Sequence, residues 1–539
     1  MKHAYIRYIL LFIVMVWANS CTKTMSDKNK IFRYNESKGI SILDPAFARN
    51  QTIIWPVINI FNGLLQIDSA LNIKPCIAHK WELDEQLTTY TFYLRTNVMF
   101  HHHPIFGQKQ TRKVTSHDFV YSFNRLIDPK TSSPGAWVFN NVDRSFGNNG
   151  FLAVNDSILQ IKLEQPFVPF LGLLTMAYCS VVPFEIIEQL GDQFGLTPIG
   201  TGPFQFKYWE LNDRLILTKN KNYFETDNIG NQLPYLEAIH ITFIADKQSE
   251  FMEFMLGNID FLSGVHATSK DELLTRSGEL RKKHQNQFYL QTTPYLNTEY
   301  LGFLMDSSNP HYLPIEIRQA INYSFCRKRM VAFLRNNLAA PALNGFVPPL
   351  LYPEGVYPVK GYEYNPEKVS QLLKQAGYEG GKGLKTIILT TTPDYLDIGE
   401  YIQHQAAQLG IPIQISTATG GAFRQNVANG KLPFFRASWV ADYPHAENFL
   451  FIFTGANKSP VGPNYTRFED KQYDSLYYDI AKYNEKQFLI READSILIDK
   501  SPVVPLFYDI VVRFVNKKVS GFPLNALNNI ELKRTKKTG

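Results

Sequence analysis

The sequence predicts a large globular protein of the α/β class with at least two hydrophobic cores. The chain has 539 residues, of which 45% are hydrophobic and 19% are charged, so it can bury extensive apolar surface. Segments with the two-residue periodicity of strands alternate irregularly with segments that have the periodicity of helices. This irregular order favours α/β or α+β lobes over a barrel of even repeats.

Local patterns predict one strand and one helix in the first third of the chain. Residues 90–100, "YTFYLRTNVMF", alternate in part and are rich in aromatic and β-branched residues, which predicts a strand. Residues 115–128 begin with Thr115 and Asp118 at the spacing of a capping box and carry an apolar face. This segment is therefore predicted to be a helix.

Two later helices have clear start and stop signals. The segment "PIEIRQAINYSF" begins at Pro314, a good first-turn residue, and continues with an apolar stripe. The segment "NPEKVSQLLKQAGY" offers Asn365 as N-cap, Pro366 in the first turn and Gly377 as C-terminal stop.

Residues 1–20 are interpreted as a targeting segment rather than as part of the fold. Lys2 and Arg7 precede the apolar run "YILLFIVMVWA", which is too short for a comfortable membrane span. "ANSC" then ends at Cys21 after small residues. A cysteine at this place resembles a bacterial lipobox, which implies cleavage before Cys21 and lipid attachment to it. An ordinary signal peptide with an incidental cysteine is the alternative, and it would release the protein instead of holding it on a membrane.

The cysteine and histidine patterns predict neither a disulfide framework nor a metal site. If Cys21 carries lipid, an odd number of cysteines remains, Cys76, Cys179 and Cys326, and we expect these to be buried free thiols. "HHH" at residues 101–103 is the one histidine cluster. Because three consecutive histidines cannot all face one ion, we expect a surface loop there.

Motif searches favour binding over catalysis. The sequence has no GxSxG elbow, no HExxH and no GxxxxGK[ST] phosphate loop, and no cofactor is predicted. "GTGPF" at residues 200–204 lacks the third glycine of a dinucleotide fingerprint, and Pro203 removes a backbone donor, so we interpret it as a tight structural turn. The net charge of +6 is small for this length, which argues against nucleic-acid binding.

The order of several segments resembles one known family. These segments are "ISILDPAFA", "PCIAHKWELDEQLTTYTFYLRTNVMFH", "SHDFVYSFNRLIDPKTSSPGAW", "PIGTGPFQFKYWELNDRLILTKNKNYF", "GNIDFL", "IRQAINYSFCRKRMV", "KVSQLLKQAGY", "WVADYPHAENFL" and "VVPLFYDIVVRFV". Together they resemble the peptide- and oligopeptide-binding proteins of bacterial ABC importers, solute-binding family 5. Each motif alone is weak, but the common order covers nearly the whole mature chain.

The resemblance implies a two-lobed, periplasmic-binding-protein-like fold of type II, with an inserted subdomain and a ligand cleft between the lobes. The first lobe would be discontinuous and comprise residues 21–67, 182–293 and 508–539. The inserted subdomain would be residues 68–181, and lobe two would be residues 294–507.

The segment "RASWVADYP" matches the family's ligand-binding segment. By this resemblance Asp442 pairs with the α-amino group of a peptide, and Arg436 receives the ligand's carboxylate directly or through water. Trp439, between them, would pack on the peptide, and Tyr508 is a more speculative lining residue. The structural alternatives are a turn cap before Pro444 for Asp442, an ion pair within a lobe for Arg436, a core position for Trp439 and a plain strand aromatic for Tyr508.

Two departures from the family pattern affect the expected edge of the pocket. "HHHPIFG" replaces a small acidic turn, and His445 and Ala446 stand where acidic and proline residues are common. Both changes could alter the preferred ligand length.

The sequence therefore predicts an envelope lipoprotein that is not an enzyme, binds short peptides as a monomer and delivers them to the permease and ATPase of an ABC importer. The same fold could instead hold a nickel complex, haem or a sugar, because such binders also occur in the family. A ligand sensor without a transporter is a further alternative, and an exported hydrolase is disfavoured because no nucleophile or metal motif is present.

Overall fold

The computed structural model describes residues 30–264 and 267–538 of the chain. The predicted signal peptide and Cys21 lie outside these described residues. Within them, no helix has both the length and the apolar character needed to cross a membrane.

The described residues form an α/β structure, as predicted. Its α-helices are α1 (Gln51–Ile60), α2 (Ser116–Ile127), α3 (Phe170–Leu173), α4 (Phe184–Leu190), α5 (Lys247–Met255), α6 (Ala267–Leu273), α7 (Ile315–Tyr323), α8 (Arg327–Leu334), α9 (Pro366–Gln375), α10 (Leu396–Ala407), α11 (Gly420–Ala428), α12 (Glu447–Leu450), α13 (Lys471–Lys482) and α14 (Ile490–Lys500). Its strands are β1 (Ile31–Asn35), β2 (Leu65–Ile67), β3 (Ile73–Pro75), β4 (Ala78–Leu83), β5 (Thr89–Leu94), β6 (Phe151–Asn155), β7 (Ile158–Lys162), β8 (Phe204–Glu210), β9 (Arg214–Lys219), β10 (Ala238–Thr242), β11 (Phe261–Ser263), β12 (Phe288–Pro294), β13 (Asn297–Phe303), β14 (Ala339–Pro341), β15 (Ile387–Thr391), β16 (Ile413–Thr417), β17 (Phe434–Val440), β18 (Val503–Asn516), β19 (Val519–Ser520) and β20 (Lys536–Lys537).

The described strands form five sheets, of which β2-β3 and β19-β20 are two-stranded ones and the other three are larger. Strands in the order β1-β10-β9-β8 form a four-stranded sheet within the segments predicted for lobe one, and β4-β5-β7-β6 form a second four-stranded sheet within the predicted insert. The third sheet has eight strands and contains β13, β17, β15 and β16 from the segment predicted for lobe two. The precise lobe boundaries stay a prediction.

Strand β18 runs through the point where the sequence places a lobe boundary. Its first residues pair with β13, its middle pairs with β14, and its second half pairs with β12 and β11. One continuous strand thus hydrogen-bonds to strands on both sides of the predicted boundary at residues 507 and 508.

The clusters of buried hydrophobic residues match the predicted lobes only in part. Buried residues of β1, α1 and the predicted insert belong to one continuous cluster, so the insert shares its core with lobe one. In β13 the side chains alternate between two clusters: Leu301 and Phe303 belong to one and Tyr300 to the other. This alternation is the two-residue period of a strand that is covered on both faces.

Most of the element predictions are confirmed. Helix α2 begins as expected, with the Asp118 carboxylate accepting the backbone N–H of Thr115 at 2.8 Å. Helix α9 starts at Pro366 behind Asn365, whose side chain accepts the N–H of Lys368, and Gly377 follows its end with φ +84°. The predicted strand at residues 90–100 is too long, because β5 ends at Leu94 and a turn follows it.

The expectation of a surface loop at residues 101–103 is wrong for His101. Its ring is buried and bridges the "GTGPF" turn: Nε2 lies 2.9 Å from the carbonyl of Gly202, and Nδ1 accepts the N–H of Gly200 at 3.2 Å. Burial lowers the pKa of His101 to about 4, so the ring is neutral at physiological pH. His102 is exposed and His103 is half-buried.

The three cysteines within the described residues are free thiols, as expected. Cys76 and Cys179 are buried, whereas Cys326 is only half-buried. Burial raises the pKa of the Cys76 and Cys179 thiols, which keeps both of them protonated.

The "GTGPF" turn is a structural turn with no room for larger residues. The N–H of Gly202 donates to the carbonyl of Ile60 at 2.8 Å, and a Cβ on Gly200 would lie 2.1 Å from the same carbonyl oxygen. The turn therefore holds its backbone directly against the end of α1.

We predict that Gly200→Ala lowers the free energy of unfolding by about 1–3 kcal/mol, because the backbone of Ile60 must move to admit the methyl group. Chemical denaturation measures this change. Gly420→Ala is the matched control, since a Cβ there meets nothing within 4 Å and α11 gains helix propensity. Equal stability of the two variants would contradict the prediction.

Candidate functional site

The candidate site follows strand β17, whose two edges differ. One edge pairs with β13 along the whole strand, from Phe434 opposite Phe303 to Val440 opposite Asn297. On the other edge, β15 pairs with β17 at Phe435. Within the described residues, the edge beyond Phe435 has no strand partner. Its exposed residues, Ser438 and Val440, lead towards Asp442.

The Asp442 carboxylate lies just past the end of β17 and is open to solvent. The side-chain amide of Asn448 is its polar neighbour at 3.5 Å, and no cation lies within ion-pair distance among the described residues. Protein atoms nevertheless surround the position, and this desolvation raises the pKa of Asp442 to about 6. The site thus offers an accessible anion that lacks a counter-ion.

The buried amide of Asn448 fixes both Asp442 and Trp439. Its Oδ1 accepts the backbone N–H of Asp442 and the indole Nε1–H of Trp439, each at 3.1 Å. The Trp439 ring also meets Phe451 edge-on, with centroids 5.7 Å apart. Trp439 is half-buried and packs against a hydrophobic cluster that includes Tyr300 and Phe449, which agrees with the core alternative for this residue.

Arg436 forms an ion pair within the fold. Its Nη2 donates to Oε2 of Glu299 on the neighbouring strand β13, and both side chains are largely buried. The guanidinium lies over the ring of Tyr395, 3.3 Å from its centroid. Its buried Nε has no acceptor among the described residues. The guanidinium therefore keeps unused donors, although it already has a counter-ion.

Tyr508 has its hydroxyl already engaged. The side chain is buried in β18, and its hydroxyl donates to the carbonyl of Gly345 at 2.6 Å. Asp442, Trp439 and Arg436 share one strand and the loop after it, whereas Tyr508 is not brought to their open edge. This position weighs against a lining role for Tyr508 and matches the plain strand-aromatic alternative.

Sequence reasoning missed several polar residues around Asp442. Glu447 is buried, and its carboxylate accepts the hydroxyls of Tyr443 at 2.6 Å and Tyr477 at 2.5 Å. Burial raises the pKa of Glu447. Tyr178, from the predicted insert, lies near Asp442, and burial together with that charge raises its pKa. Only Glu447 and Asn448, within "HAENF", stand close enough in sequence to Asp442 to have suggested a role.

The predicted insert and lobe two touch each other beside this site. The backbone N–H of Val168 donates to the carbonyl of Ala481 at 2.8 Å. A Cβ on Gly172 would lie 3.5 Å from the Tyr443 ring, which is ordinary contact distance. These contacts place Asp442 on an inner surface between two parts of the molecule.

A separate cavity of about 620 Å³ lies among β2, residues 175–180 and residues 521–534. Lys533 lies in its wall, 2.8 Å from Glu225 and 2.8 Å from Glu531, and donates to Gln66 at 2.6 Å. The lysine is thus already paired with two carboxylates of the protein itself. None of the four ligand-binding residues predicted from the sequence lines this cavity.

Residues 30–264 and 267–538 contain no group of three or more His, Cys, Asp and Glu side chains that could hold a metal ion.

Comparison with known proteins assigns the family. Residues 72–460 match the family described as "Bacterial extracellular solute-binding proteins, family 5 Middle". The chain is a family 5 solute-binding protein. The expected fold class is thereby confirmed, because the solved structures of periplasmic binding proteins that this chain resembles have the same fold.

Two relatives and one structure illustrate the match. This family 5 protein is 24% identical to "Dipeptide-binding protein" of Escherichia coli, over 87% of each chain. It is 25% identical to "Periplasmic oligopeptide-binding protein OppA" of Salmonella typhimurium, over 94% of this chain and 92% of that one. The periplasmic binding protein DppA from Helicobacter pylori, solved with the peptide STSA, superposes with a TM-score of 0.76 at 22% identity, covering 94% of this chain and 98% of that one.

We predict that Asn448→Ala destabilises this family 5 protein by about 2 kcal/mol or more, because two N–H donors lose their common acceptor. The free energy of unfolding measures the effect. Asn484→Ala is the control, since Asn484 is exposed and no side-chain hydrogen bond of it is found among the described residues. A change no larger than that of the control would contradict the role given to Asn448.

Proposed function

We propose that this protein captures short peptides between two closing lobes and delivers them to the permease of an ABC importer. The observation that carries the proposal is the open edge of β17 that leads to the uncompensated carboxylate of Asp442. The protein would have no chemistry of its own.

An open strand edge suits a peptide more than a solute without a peptide backbone. An extended peptide can add to such an edge through main-chain hydrogen bonds, which do not depend on its side chains. Asp442 would then receive the peptide's ammonium group, the one cation that every unblocked peptide carries. A receptor of this design accepts many sequences because it fixes features that all peptides share.

The strand also limits the length of the ligand. Six residue steps separate Arg436 from Asp442, which is at most about 20 Å along an extended chain. Because the two side chains can reach towards each other, a ligand that meets both is a short peptide. Arg436 would meet the ligand's carboxylate directly or through water, and Trp439 would act as a wall behind the strand.

The comparisons support the same cargo. The names of the two relatives described above refer to dipeptides and oligopeptides, and the similar structure from Helicobacter pylori holds a peptide. For this chain we propose peptide binding by a monomer, with lobes at the boundaries expected from the sequence.

The cellular setting is part of the proposal. Cleavage before Cys21 and lipid attachment to it would tether the protein to the outer side of a membrane in the cell envelope. Closure over the ligand would create the form that the permease and ATPase subunits recognise.

The deciding experiment is a native mass spectrum of residues 22–539 as purified, followed by sequencing of whatever denaturation releases. A mixture of short peptides is the expected result and would give their length. A single non-peptide mass, or a protein that stays empty with peptide mixtures, would overturn the cargo. Absence of permease and ATPase genes beside this gene would favour a sensor without transport.

We predict that Asp442→Ala weakens peptide binding a hundredfold or more, because the ligand's ammonium would enter the site without its counter-ion. Isothermal titration calorimetry measures the affinity. Asp499→Ala is the matched control: it removes an exposed carboxylate of α14 and should leave the affinity unchanged. Unchanged affinity of Asp442→Ala would remove Asp442 from the site.

Binding of a peptide with an amidated C-terminus should weaken at acid pH. Between pH 6 and about pH 7.5 Asp442 is already ionised and most of the ligand's amino group is still protonated, so affinity should change little with pH. Below its pKa the ligand must displace a proton, and affinity should fall by up to about tenfold per pH unit. Titrations between pH 4.5 and 7.5 test this dependence, which should be absent in Asp442→Asn.

A further inference from the structure

The buried ion pair between Glu299 and Arg436 lies where the proposed function needs a free cation. Nη2 and Nε form the side of a guanidinium that binds a carboxylate with two hydrogen bonds. The Nη2 group of Arg436 donates to Glu299, while its Nε has no acceptor among the described residues. The carboxylate of Glu299 thus occupies one of the two donors, Nη2 and Nε, that a ligand carboxylate would need.

The residues around Glu299 do not favour its ionised form. It is 3% exposed, and burial raises its pKa to about 7 despite the charge of Arg436. Asn297 donates to its Oε1 at 3.2 Å. The carboxylate of Asp509, on β18, adds a nearby negative charge and has a pKa that burial raises as well.

The other cation of this cluster has its own partner. Arg335 lies 3.1 Å from Asp397 and is stacked near the rings of Phe507 and Tyr395. The positive charge of Arg335 lowers the pKa of Glu299, but Arg335 donates no hydrogen bond to it. Among the described residues, the charged and titratable groups near Glu299 are Arg335, Arg436, Asp509, Tyr295, Tyr300 and Tyr395.

We propose that Glu299 is a specificity-determining residue that competes with the ligand's carboxylate for Arg436. A ligand carboxylate that accepts hydrogen bonds from Nη2 and Nε of Arg436 places a second anion beside Glu299. Two carboxylates beside one guanidinium, with Asp509 close by, leave a net negative charge in a desolvated place. Glu299 relieves this by taking up one proton from solvent. Peptides that end here in a carboxylate thus take up one proton more on binding than peptides with a neutral end.

This inference rests on the proposed function and deepens it, because it concerns how the same site selects the charge of the ligand's end. It differs from the effect of Asp442, which weakens binding at low pH for both kinds of ligand. The ratio of the two affinities isolates the contribution of Glu299.

The test compares tri-, tetra- and penta-alanine as free acids and as C-terminal amides. For the length that binds tightest, the dissociation constant of the acid relative to the amide should rise between pH 6.5 and 8.5, approaching about tenfold per pH unit above pH 7. Calorimetry in phosphate and in Tris buffer at pH 8 should detect uptake of nearly one proton more with the acid than with the amide, because the α-amino group that both ligands carry takes up the same fraction of a proton. This measurement needs no variant.

Glu299→Gln keeps an oxygen acceptor for Arg436 and removes the charge. The variant should bind the acid at least tenfold more tightly than the wild type at pH 8 and should lose the pH dependence of the ratio. Glu185→Gln is the control, because it breaks another carboxylate–guanidinium pair, with Arg112 in the predicted insert. It should behave like the wild type.

Three results would overturn the inference. These are a ratio that does not change with pH, equal proton uptake with the acid and the amide, or weaker binding of the acid by a folded Glu299→Gln protein. If acid and amide peptides bind equally at every pH, peptide binding stands and the role of Glu299 falls. If neither form of any alanine peptide binds to the wild type, the proposed function itself is overturned, and this inference with it.

Discussion

The hydrogen bonding of strand β18 to both halves of the molecule is the constraint on which the remaining structure depends. Its first half pairs with β13, and its second half pairs with β12, the strand that precedes β13 in the chain. The two chain segments that cross between the halves therefore lie side by side. The closure of the lobes proposed above would bend both strands at this crossing, which favours a hinge over sliding.

The crossing also carries the polar network of the site. Asn297, at the start of β13, accepts the backbone N–H of Asp509 at 2.7 Å and donates to Glu299 at 3.2 Å. Glu299 in turn holds Arg436 on β17. Strands β13 and β18 and the proposed carboxylate end of the ligand site are thus joined by direct hydrogen bonds. In the proposed closure, a change in the ionisation of Glu299 would act on residues next to this crossing.

Desolvation has different consequences for the two carboxylates of the site, Asp442 and Glu299. Asp442 has no cation beside it, and desolvation raises its pKa to about 6, so an incoming ammonium removes an existing electrostatic cost. Glu299 already has a cation, yet burial raises its pKa to about 7, so an incoming anion adds to that cost. Raised carboxylate pKa values at an open strand edge are typical of functional sites, although ion pairs within a fold also produce them.

The sequence alone determined the family, the α/β class and the starts of α2 and α9, because caps and apolar stripes depend on residues a few positions apart. It also singled out the segment that carries Asp442. Only the tertiary structure decided what the other candidates contact. Arg436 meets Glu299 across 137 positions, and Tyr508 meets Gly345 across 163. His101 became a buried link to the "GTGPF" turn for the same kind of reason. Such contacts depend on strand register and on the packing of distant segments, and a local sequence pattern encodes neither of them.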